Sequence, residues 1–274
     1  LFRSVYEIAA SYTGSHHDYS RLASYIAISS YHKETSPSFS ETMFKLNEDG
    51  ILNEEMVNII ERYGADKIDA IIDHENDYNF DYFAWRSLQE MYLLKLSNGK
   101  VIERPQHMYM RVALWVTKSF EEAVSYYNSL SKQLISPATP IMINSGTKIP
   151  QLASCVLHYN NEDSRNGLLE TIKDISTYSA DAAGIGLCMS NIRSKETRIS
   201  SSGGFAGGLL KYLKIVNESL RFFNQQGRRP GSAAIYLEPW HKDIIDLLEI
   251  KKNTGAEELR ARDLFTALGF LIIL

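Results

Sequence analysis

Cysteine is scarce in this sequence of 274 residues, which contains only Cys155 and Cys188. Two thiols are too few for the disulfide framework of a small secreted domain. The N-terminal stretch LFRSVYEIAASYTGSHHDYS also lacks the basic and then apolar order of a signal peptide. Both absences predict a cytoplasmic protein, a compartment in which a disulfide between the two cysteines is disfavoured.

Long apolar runs are missing as well. The longest nearly uncharged run, Leu264 to Leu274, closes the sequence. It is far shorter than the roughly 20 residues that a membrane-spanning helix needs. The sequence therefore predicts that the protein has no membrane partner.

An excess of positive charge is absent too, since the formal net charge is -4. A general nucleic-acid surface is therefore not expected, whereas a local basic pocket for a small anion is compatible with this charge. The histidines have no partners at the spacing of a metal site, and no G-K-[ST] motif marks a Walker loop. We predict no metal site in this chain.

The composition that remains, 44% hydrophobic and 23% charged residues, is typical of a globular protein. The first half of the sequence is patterned for helices joined by polar connections. Asp18 is a candidate N-cap, Ser119 and Glu122 form a capping box, and Pro105 suits the first turn of a helix. Residues 1–149 are therefore predicted to form a helical N-terminal domain.

Beyond residue 149, short β-like runs alternate with helical ones. The segments ASCVLHY, GIGLCMS and SAAIYL are strand candidates, and helix candidates begin near Arg165 and Gly207. A further helix is predicted to open at Glu238, Pro239 and Trp240. This alternation favours a parallel α/β sheet or barrel, and three such units are too few to close a barrel. Residues 150–274 are therefore predicted to form an incomplete barrel.

Glycine, serine, amide and basic residues concentrate in two loops. Segment 191–208 supplies Arg193 and precedes a helix, whose first N–H groups suit a phosphate. Segment 224–236 supplies Gln225 and Arg229, whose amide and guanidinium groups suit a base edge or a phosphate. Solvated loops are the commoner explanation of such segments.

Two further features have an ordinary explanation beside a chemical one. A free cysteine such as Cys155 is often only a small buried hydrophobe. Asp163 and Ser164, which precede a predicted helix, are suited to a role as its N-cap. Taken singly, these residues leave both explanations open.

A series of motifs runs along the sequence, namely HKET, ERPQHMYMRVAL, SPATPIM, PQLASCVL, AAGIGL, NQQGRRPGSAAIYLEPWH, KKNTG and ELRARDLFTAL. In their order and spacing, these motifs resemble the large (alpha) subunit of class I ribonucleotide reductase. The resemblance extends from about Asp18 to Leu268. It implies a helical N-terminal domain followed by the first part of a ten-stranded α/β barrel. It also implies reduction of ribonucleotides, usually the diphosphates, to 2′-deoxyribonucleotides by radical chemistry.

The resemblance assigns roles to four residues near the start of the barrel. Cys155 matches the first redox cysteine, which acts with a partner cysteine on a later strand to deliver two electrons to the substrate ribose. Such a thiol is expected to face a closed, mostly dry pocket. Thr139 and Ser154 are implied to contact substrate, and Gly184 is implied to let the backbone approach the substrate phosphates.

An allosteric specificity site is also implied. There Asp163 would accept a hydrogen bond from an effector ribose and Arg193 would hold effector phosphate, while Gln225 and Arg229 belong to the loop that selects the base. The implied effector-binding residues are Asp163, Ser164, Arg165, Arg193, Ser200 and Ser201.

The family's cofactors and partners follow from the same resemblance. The expected effectors are ATP, dATP, dTTP and dGTP, and the metal-radical cofactor is expected in a small (beta) subunit rather than in this chain. A second alpha chain in a homodimer and thioredoxin or glutaredoxin as reductant complete the expected partners.

The sequence also departs from the family pattern. Ala180 replaces a basic residue sometimes found before the AGIG segment, no ATP-cone segment precedes Leu1, and the family pattern ends at Gly269. We therefore expect the N-terminal part of a split or truncated large subunit, inactive without a separately encoded C-terminal fragment. The alternatives are a non-catalytic module that binds deoxynucleotides or a subunit, and a decayed fragment.

Overall fold

The computed structural model describes residues 2–149, 151–224 and 230–269. The chain divides into two compact units, Leu1–Leu152 and Ala153–Leu274. The division falls close to the boundary between residues 149 and 150 that the sequence pattern predicts. Gln225 and Arg229, the two residues assigned to base selection, lie outside the described residues.

The first unit is helical. Within it, a 3₁₀ turn spans His74–Asn79 and a π-helical turn spans Leu88–Tyr92. Its α-helices are α1 (Phe2–Ser11), α2 (Asp18–Glu34), α3 (Phe39–Glu48), α4 (Glu54–Tyr63), α5 (Ala65–Asp69), α6 (Tyr82–Ser87), α7 (Pro105–Val116), α8 (Phe120–Ser131) and α9 (Thr139–Asn144).

Several of the helix ends follow the sequence signals. Pro105 is the first residue of α7, where its missing N–H group loses no helical bond. The hydroxyl of Ser119 accepts a bond from the Glu122 N–H group at 3.2 Å and caps α8. The prediction for α2 was wrong by one position, because Asp18 is its first helical residue and the N-cap is His17, which makes no side-chain capping bond.

A buried ion pair fixes α9 within the helical unit. Arg111 of α7 and Glu103 have no solvent exposure, and the Arg111 Nε lies 2.6 Å from the Glu103 Oε1. The Arg111 guanidinium also donates to the backbone carbonyls of Met142 and Ser145, at the end of α9. The orientation of α9 therefore depends on a charge pair that water does not reach.

The described residues of the second unit contain a four-stranded parallel sheet in the order β1-β2-β3-β4. Residue pairing aligns Cys155 with Gly184, Ile185 with Ala233, and Ala234 with Phe265. Local patterning predicted only three of the strands, since the last is short. The strands are β1 (Cys155–Tyr159), β2 (Gly184–Cys188), β3 (Ala233–Leu237) and β4 (Phe265–Leu268).

Helices cover one face of this sheet and leave the other open. Helices α10 (Arg165–Ala180) and α11 (Leu209–Phe222) bury Ile185, Leu187 and Ile235. Side chains alternate along a strand, so Cys155, Leu157 and Tyr159 lie on the opposite, exposed face. A parallel sheet with helices on one face is consistent with the first part of an α/β barrel.

The segment after β3 differs from the prediction. Residues 238–243 form two successive turns rather than a helix, with the His241 N–H bonded to the Glu238 carbonyl and the Ile244 N–H bonded to the His241 carbonyl. Helix α12 begins only at Ile244 (Ile244–Leu248). Asp243, directly before α12, accepts bonds from the Lys195 and Leu209 N–H groups and makes no side-chain capping bond to α12.

Within the described ranges, no helix has both the length and the apolar character required to cross a membrane.

Candidate functional site

A small hairpin lies between β2 and α11. The Ile199 N–H group bonds to the Gly204 carbonyl and the Ala206 N–H group bonds to the Thr197 carbonyl, both at 2.8 Å. Gly203 closes the turn with a φ of +69°, a conformation that a side chain disfavours. The hairpin therefore presents Ser200 and Ser201 at its tip.

The N-terminus of α10 lies beside this hairpin. The hydroxyl of Ser164 caps the helix by accepting the Gly167 N–H group at 3.1 Å. The first turn carries no acidic residue, and its first residue is Arg165. A cation is unfavourable at the positive end of a helix dipole unless an anion binds there. The capping role that the sequence suggested for Ser164 is confirmed, and it is compatible with a ligand role.

Asp163 and Arg193 contact each other at the same place. The Arg193 Nε donates to the Asp163 Oδ2 at 2.7 Å, and the Arg193 backbone N–H group donates to the same oxygen at 3.1 Å. The Arg193 side chain remains 34% exposed and the Asp163 side chain 24% exposed. Solvent and ligands can thus reach both charges.

One cavity of about 440 Å³ collects these groups. Two arginines and one aspartate give its lining a positive charge, because Arg165 and Arg193 outnumber Asp163. All six residues that the sequence comparison assigned to an effector site line it, namely Asp163, Ser164, Arg165, Arg193, Ser200 and Ser201.

Apolar side chains that sequence reasoning missed complete the walls. Leu168, Ile192, Ile199 and Tyr212 line the cavity. The Tyr212 hydroxyl donates to the Leu168 carbonyl at 2.7 Å, and burial raises the pKa of Tyr212, so the phenol stays protonated. In the sequence, no local pattern distinguishes Tyr212 from the other core positions of α11. Only the glycines just before this helix indicated that a ligand site is near.

The thiol of Cys155 lies on the open face of the sheet, at the first position of β1, and is exposed. The closed, dry pocket expected around it is not formed by the described residues, because α10 and α11 cover only the other face of the sheet. The carbonyl of its neighbour Ser154 accepts the Gly184 N–H group at 2.7 Å. A Cβ atom on Gly184 would lie 3.9 Å from the Cys155 sulfur. The structure therefore brings together Ser154, Cys155 and Gly184, three of the four residues assigned to substrate chemistry.

Thr139, the fourth, is the first residue of α9 in the helical unit. Its hydroxyl lies 3.2 Å from the Tyr92 hydroxyl. The α9 segment that carries it is held by the buried Arg111.

The second cysteine is far from the first. Cys188 pairs with Tyr159 at the other end of β1. At about 3.3 Å per residue, the four residue steps along β1 alone separate the Cα atoms of Cys155 and Cys188 by roughly 13 Å. A disulfide needs Cα atoms within about 7 Å. The two cysteines of the chain therefore cannot join within one folded molecule.

A histidine cluster in the helical unit was also missed, because its members are distant in sequence. The His32 Nε2 lies 2.8 Å from the Asp77 Oδ2, and Gln106 donates to the other carboxylate oxygen at 3.0 Å. The His74 Nδ1 is 4.0 Å from Asp77. Side chains of this type can hold a metal ion, but these hydrogen bonds already satisfy the buried carboxylate and connect α2, the 3₁₀ turn and α7.

Comparison with known families assigns both units. A sequence model described as the ribonucleotide reductase all-alpha domain matches residues 78–150, and one described as the ribonucleotide reductase barrel domain matches residues 153–271. The matched segments together cover more than half of the chain.

Individual relatives agree with the domain matches. The chain is 42% identical to the ribonucleoside-diphosphate reductase large subunit of Vaccinia virus (strain Copenhagen), over 96% of this chain and 35% of the relative. It is 39% identical to the protein of the same name from Dictyostelium discoideum and 42% identical to that from Danio rerio, covering 31% and 34% of those relatives. The chain thus spans about a third of the length of the curated relatives it matches.

Proposed function

We propose that this chain, which belongs to the ribonucleotide reductase large-subunit family, takes part in reducing ribonucleoside diphosphates and carries a binding site for an effector nucleotide. The observation that supports the proposal best is the cavity beside α10. The six residues assigned to effector binding come from three separate stretches of sequence, 163–165, 193 and 200–201, and all of them line that one cavity.

The cavity has the chemistry that a nucleoside triphosphate requires. Arg165, Arg193 and the free N–H groups at the start of α10 supply positive charge and donors for phosphate oxygens. Ile192, Ile199 and Leu168 supply apolar surface. A volume of about 440 Å³ falls within the usual range of small-ligand sites. ATP, dATP, dTTP and dGTP are the effectors that we propose.

The contact between Asp163 and Arg193 leaves groups for both the phosphates and the ribose of such a ligand. An effector phosphate would share the Arg193 guanidinium, which is held in place by the Asp163 backbone carbonyl through a bond of 2.7 Å. The Asp163 carboxylate retains acceptor capacity for a ribose hydroxyl, since a carboxylate offers about four lone-pair positions.

Cys155 is the proposed redox residue. Its thiol would be oxidised with a second thiol to a disulfide, and the two electrons and two protons released would reduce the substrate ribose. Cys188 is about 13 Å away and cannot supply the second thiol. The partner thiol therefore comes from outside these 274 residues. Ser154, Thr139 and Gly184 are the proposed substrate contacts, and Gln225 and Arg229 the proposed base-selecting residues.

The proposed partners follow from the family. A small subunit would supply the metal-radical cofactor, a second copy of the large subunit would form a homodimer, and thioredoxin or glutaredoxin would reduce the disulfide.

Calorimetric titration of the purified chain with ATP, dATP, dTTP and dGTP tests the effector site. We expect saturable binding of at least one nucleotide, and much weaker binding of the matching nucleoside because it lacks phosphates. Sedimentation in parallel identifies protein concentrations at which the chain is dimeric. Absence of binding for every nucleotide at those concentrations would contradict the proposal.

A further inference from the structure

A single buried carboxylate holds both ends of the hairpin loop whose tip lines the cavity. Asp243 is only 4% exposed. It accepts the Lys195 N–H group at 3.1 Å on Oδ1 and 3.2 Å on Oδ2, and the Leu209 N–H group at 2.9 Å on Oδ2. Lys195 precedes the hairpin and Leu209 follows it, so Asp243 closes its base.

Asp243 stands immediately before α12, where an aspartate normally caps its own helix. Here its side chain makes no such capping bond. It instead satisfies Leu209, the first N–H group of α11, whose own N-cap position is occupied by Gly208 and offers no side chain. The carboxylate therefore caps a helix distant in sequence at the expense of its own.

Gly208 shows how closely the two loop ends approach. Its φ is +87°, and a Cβ atom there would lie 2.8 Å from the Lys195 Cβ and 3.3 Å from the Asp243 Oδ2. Any side chain at this position would push the loop ends apart. Two residues therefore allow the loop ends to lie close together: Asp243 bonds to both ends, and Gly208 has no side chain that would separate them.

The turn that ends in Asp243 also contacts the preceding part of the loop. The Asp243 N–H group donates to the His241 Nδ1 at 3.1 Å, so the His241 Nε2 carries the proton that is donated to the Ile192 carbonyl at 2.7 Å. The Glu238 N–H group donates to the Ser190 hydroxyl at 3.1 Å. These bonds fix the chain just before Arg193, and the bond from the Lys195 N–H group to Asp243 fixes the backbone just after it.

From this geometry we propose that Asp243 is a positioning residue for the effector cavity, which sets the place of Ser200 and Ser201 through the base of the hairpin. The inference rests on the proposed function. Asp243 does not line the cavity, so its effect on a ligand is transmitted by the hairpin. Loss of its charge-assisted bonds leaves the Lys195 N–H group and the buried Leu209 N–H group without their acceptor and lets the hairpin move.

Titration of the full chain with dTTP and dGTP tests this inference. Asp243→Asn keeps one acceptor oxygen, so we expect affinity to fall by about tenfold, and Asp243→Ala keeps none and should lower it further. Asp246→Asn, the same charge change at an exposed position of α12, should leave affinity unchanged. Circular dichroism ensures that each variant is measured while folded.

A double-mutant comparison separates positioning from a general loss of stability. In a Ser200→Ala, Ser201→Ala background, Asp243→Asn should weaken binding less than it does in the original chain, because the groups it positions are gone. Purely additive losses would overturn the inference. If the Asp243 variants do not fold, Gly208→Ala against Gly207→Ala provides the comparison, since both glycines line the cavity but only at Gly208 would a Cβ atom meet the Lys195 Cβ, at 2.8 Å.

The outcomes of these titrations also distinguish failure of the positioning role of Asp243 from failure of the proposed nucleotide-binding function. Failure of the original chain to bind any nucleotide would remove the proposed function. Binding by the original chain with unchanged affinity in Asp243→Asn would overturn the positioning role alone. Hydrogen exchange adds an independent measurement, since the Lys195 and Leu209 amides should lose protection in Asp243→Asn and keep it in Asp246→Asn.

Discussion

Arg193 donates three hydrogen bonds to Asp163, one from its backbone N–H group and two from its guanidinium, across a gap of 30 residues in sequence. The pair fixes the guanidinium in the cavity before any ligand arrives. A pre-positioned cation loses less conformational entropy when it binds phosphate. The contact therefore prepares the site rather than blocking it.

Replacing Arg193 tests its role as a phosphate ligand. Arg193→Ala should weaken nucleotide binding by about 10- to 100-fold, as expected for loss of charged hydrogen bonds. Arg193→Lys should recover only part of the affinity, because lysine cannot form the forked contact. Fold stability should change by no more than about 1 kcal/mol, since the ion pair is partly exposed.

Arg198→Ala is the matched control for that experiment, because Arg198 is exposed and does not line the cavity. Calorimetry supplies the affinities and thermal unfolding supplies the stability. Equal losses of affinity in the Arg193 and Arg198 variants would indicate a general charge effect and would refute the specific contact.

Substitution of Gly167 tests whether nucleotide binding depends on the backbone conformation around Asp163. A Cβ atom at Gly167 would lie 2.3 Å from the Glu162 carbonyl oxygen, a distance that no real contact has. Gly167→Ala should therefore displace the turn that carries Asp163 and lower nucleotide affinity by at least about tenfold. Gly204→Ala, where the nearest atom is 3.5 Å away, should bind as the original chain does, and titration of both variants with dTTP measures the difference.

Oxidation of the purified chain tests the separation of the two thiols. Mild oxidation with diamide should produce dimers joined through the exposed Cys155, and no disulfide within a single chain. Mass spectrometry and non-reducing electrophoresis distinguish the products, and Cys155→Ser should abolish the dimers whereas Cys188→Ser should not. An internal Cys155 to Cys188 disulfide in folded monomer would contradict the sheet register.

The buried ion pair predicts a large effect on stability. Arg111→Leu leaves the Glu103 carboxylate buried without a cation, which typically costs about 3–5 kcal/mol of unfolding free energy. Arg62→Leu removes a guanidinium that is 60% exposed and should cost less than about 1 kcal/mol. Urea unfolding of both variants measures the difference, and similar values for the two would show that Glu103 finds another partner.

His107 predicts a dependence of stability on pH. Burial, reinforced by the neighbouring His74, holds the pKa of His107 well below its ordinary value, so the imidazole is neutral in the folded chain. The unfolded chain gains this proton near pH 6.5. As pH falls below that value, the unfolded state binds more protons and stability declines by about 1.4 kcal/mol per pH unit for this group.

Above about pH 6.5, the neutral His107 makes its full contribution to the free energy of unfolding. Unfolding by urea at several pH values should therefore show a shallower decline for His107→Gln than for the original chain. A slope unaffected by His107→Gln would show that other groups cause the acid sensitivity.

Several of the helices and the first three strands were accessible from local patterns. Pro105 and the capping box at Ser119 mark helix starts through bonds that span only a few residues. Strand β4 and the late start of α12 were not accessible. The first is too short to show a period. At the second, Asp243 bonds to Lys195 and Leu209, more than 30 residues earlier, rather than capping its own helix.

The residues of the candidate site also fall into those that the sequence identified and those that only the structure identified. Motif order along the chain was sufficient to name Asp163, Arg193 and Ser200, and it identified the family that the domain matches confirm. It gave no sign of Tyr212 as a wall of the cavity or of Asp243 as the anchor of the hairpin. The roles assigned to these residues remain predictions.

Residue types and spacing thus established the class of fold, the family and a set of chemically suitable side chains, because those properties lie in local pattern and in ordered motifs. Only folding established that six of them share one cavity, that Cys155 and Cys188 are too far apart to pair, and that Asp243 joins both ends of a loop. Each of these is a long-range contact or its absence, and such contacts depend on strand register and helix packing rather than on neighbouring residues.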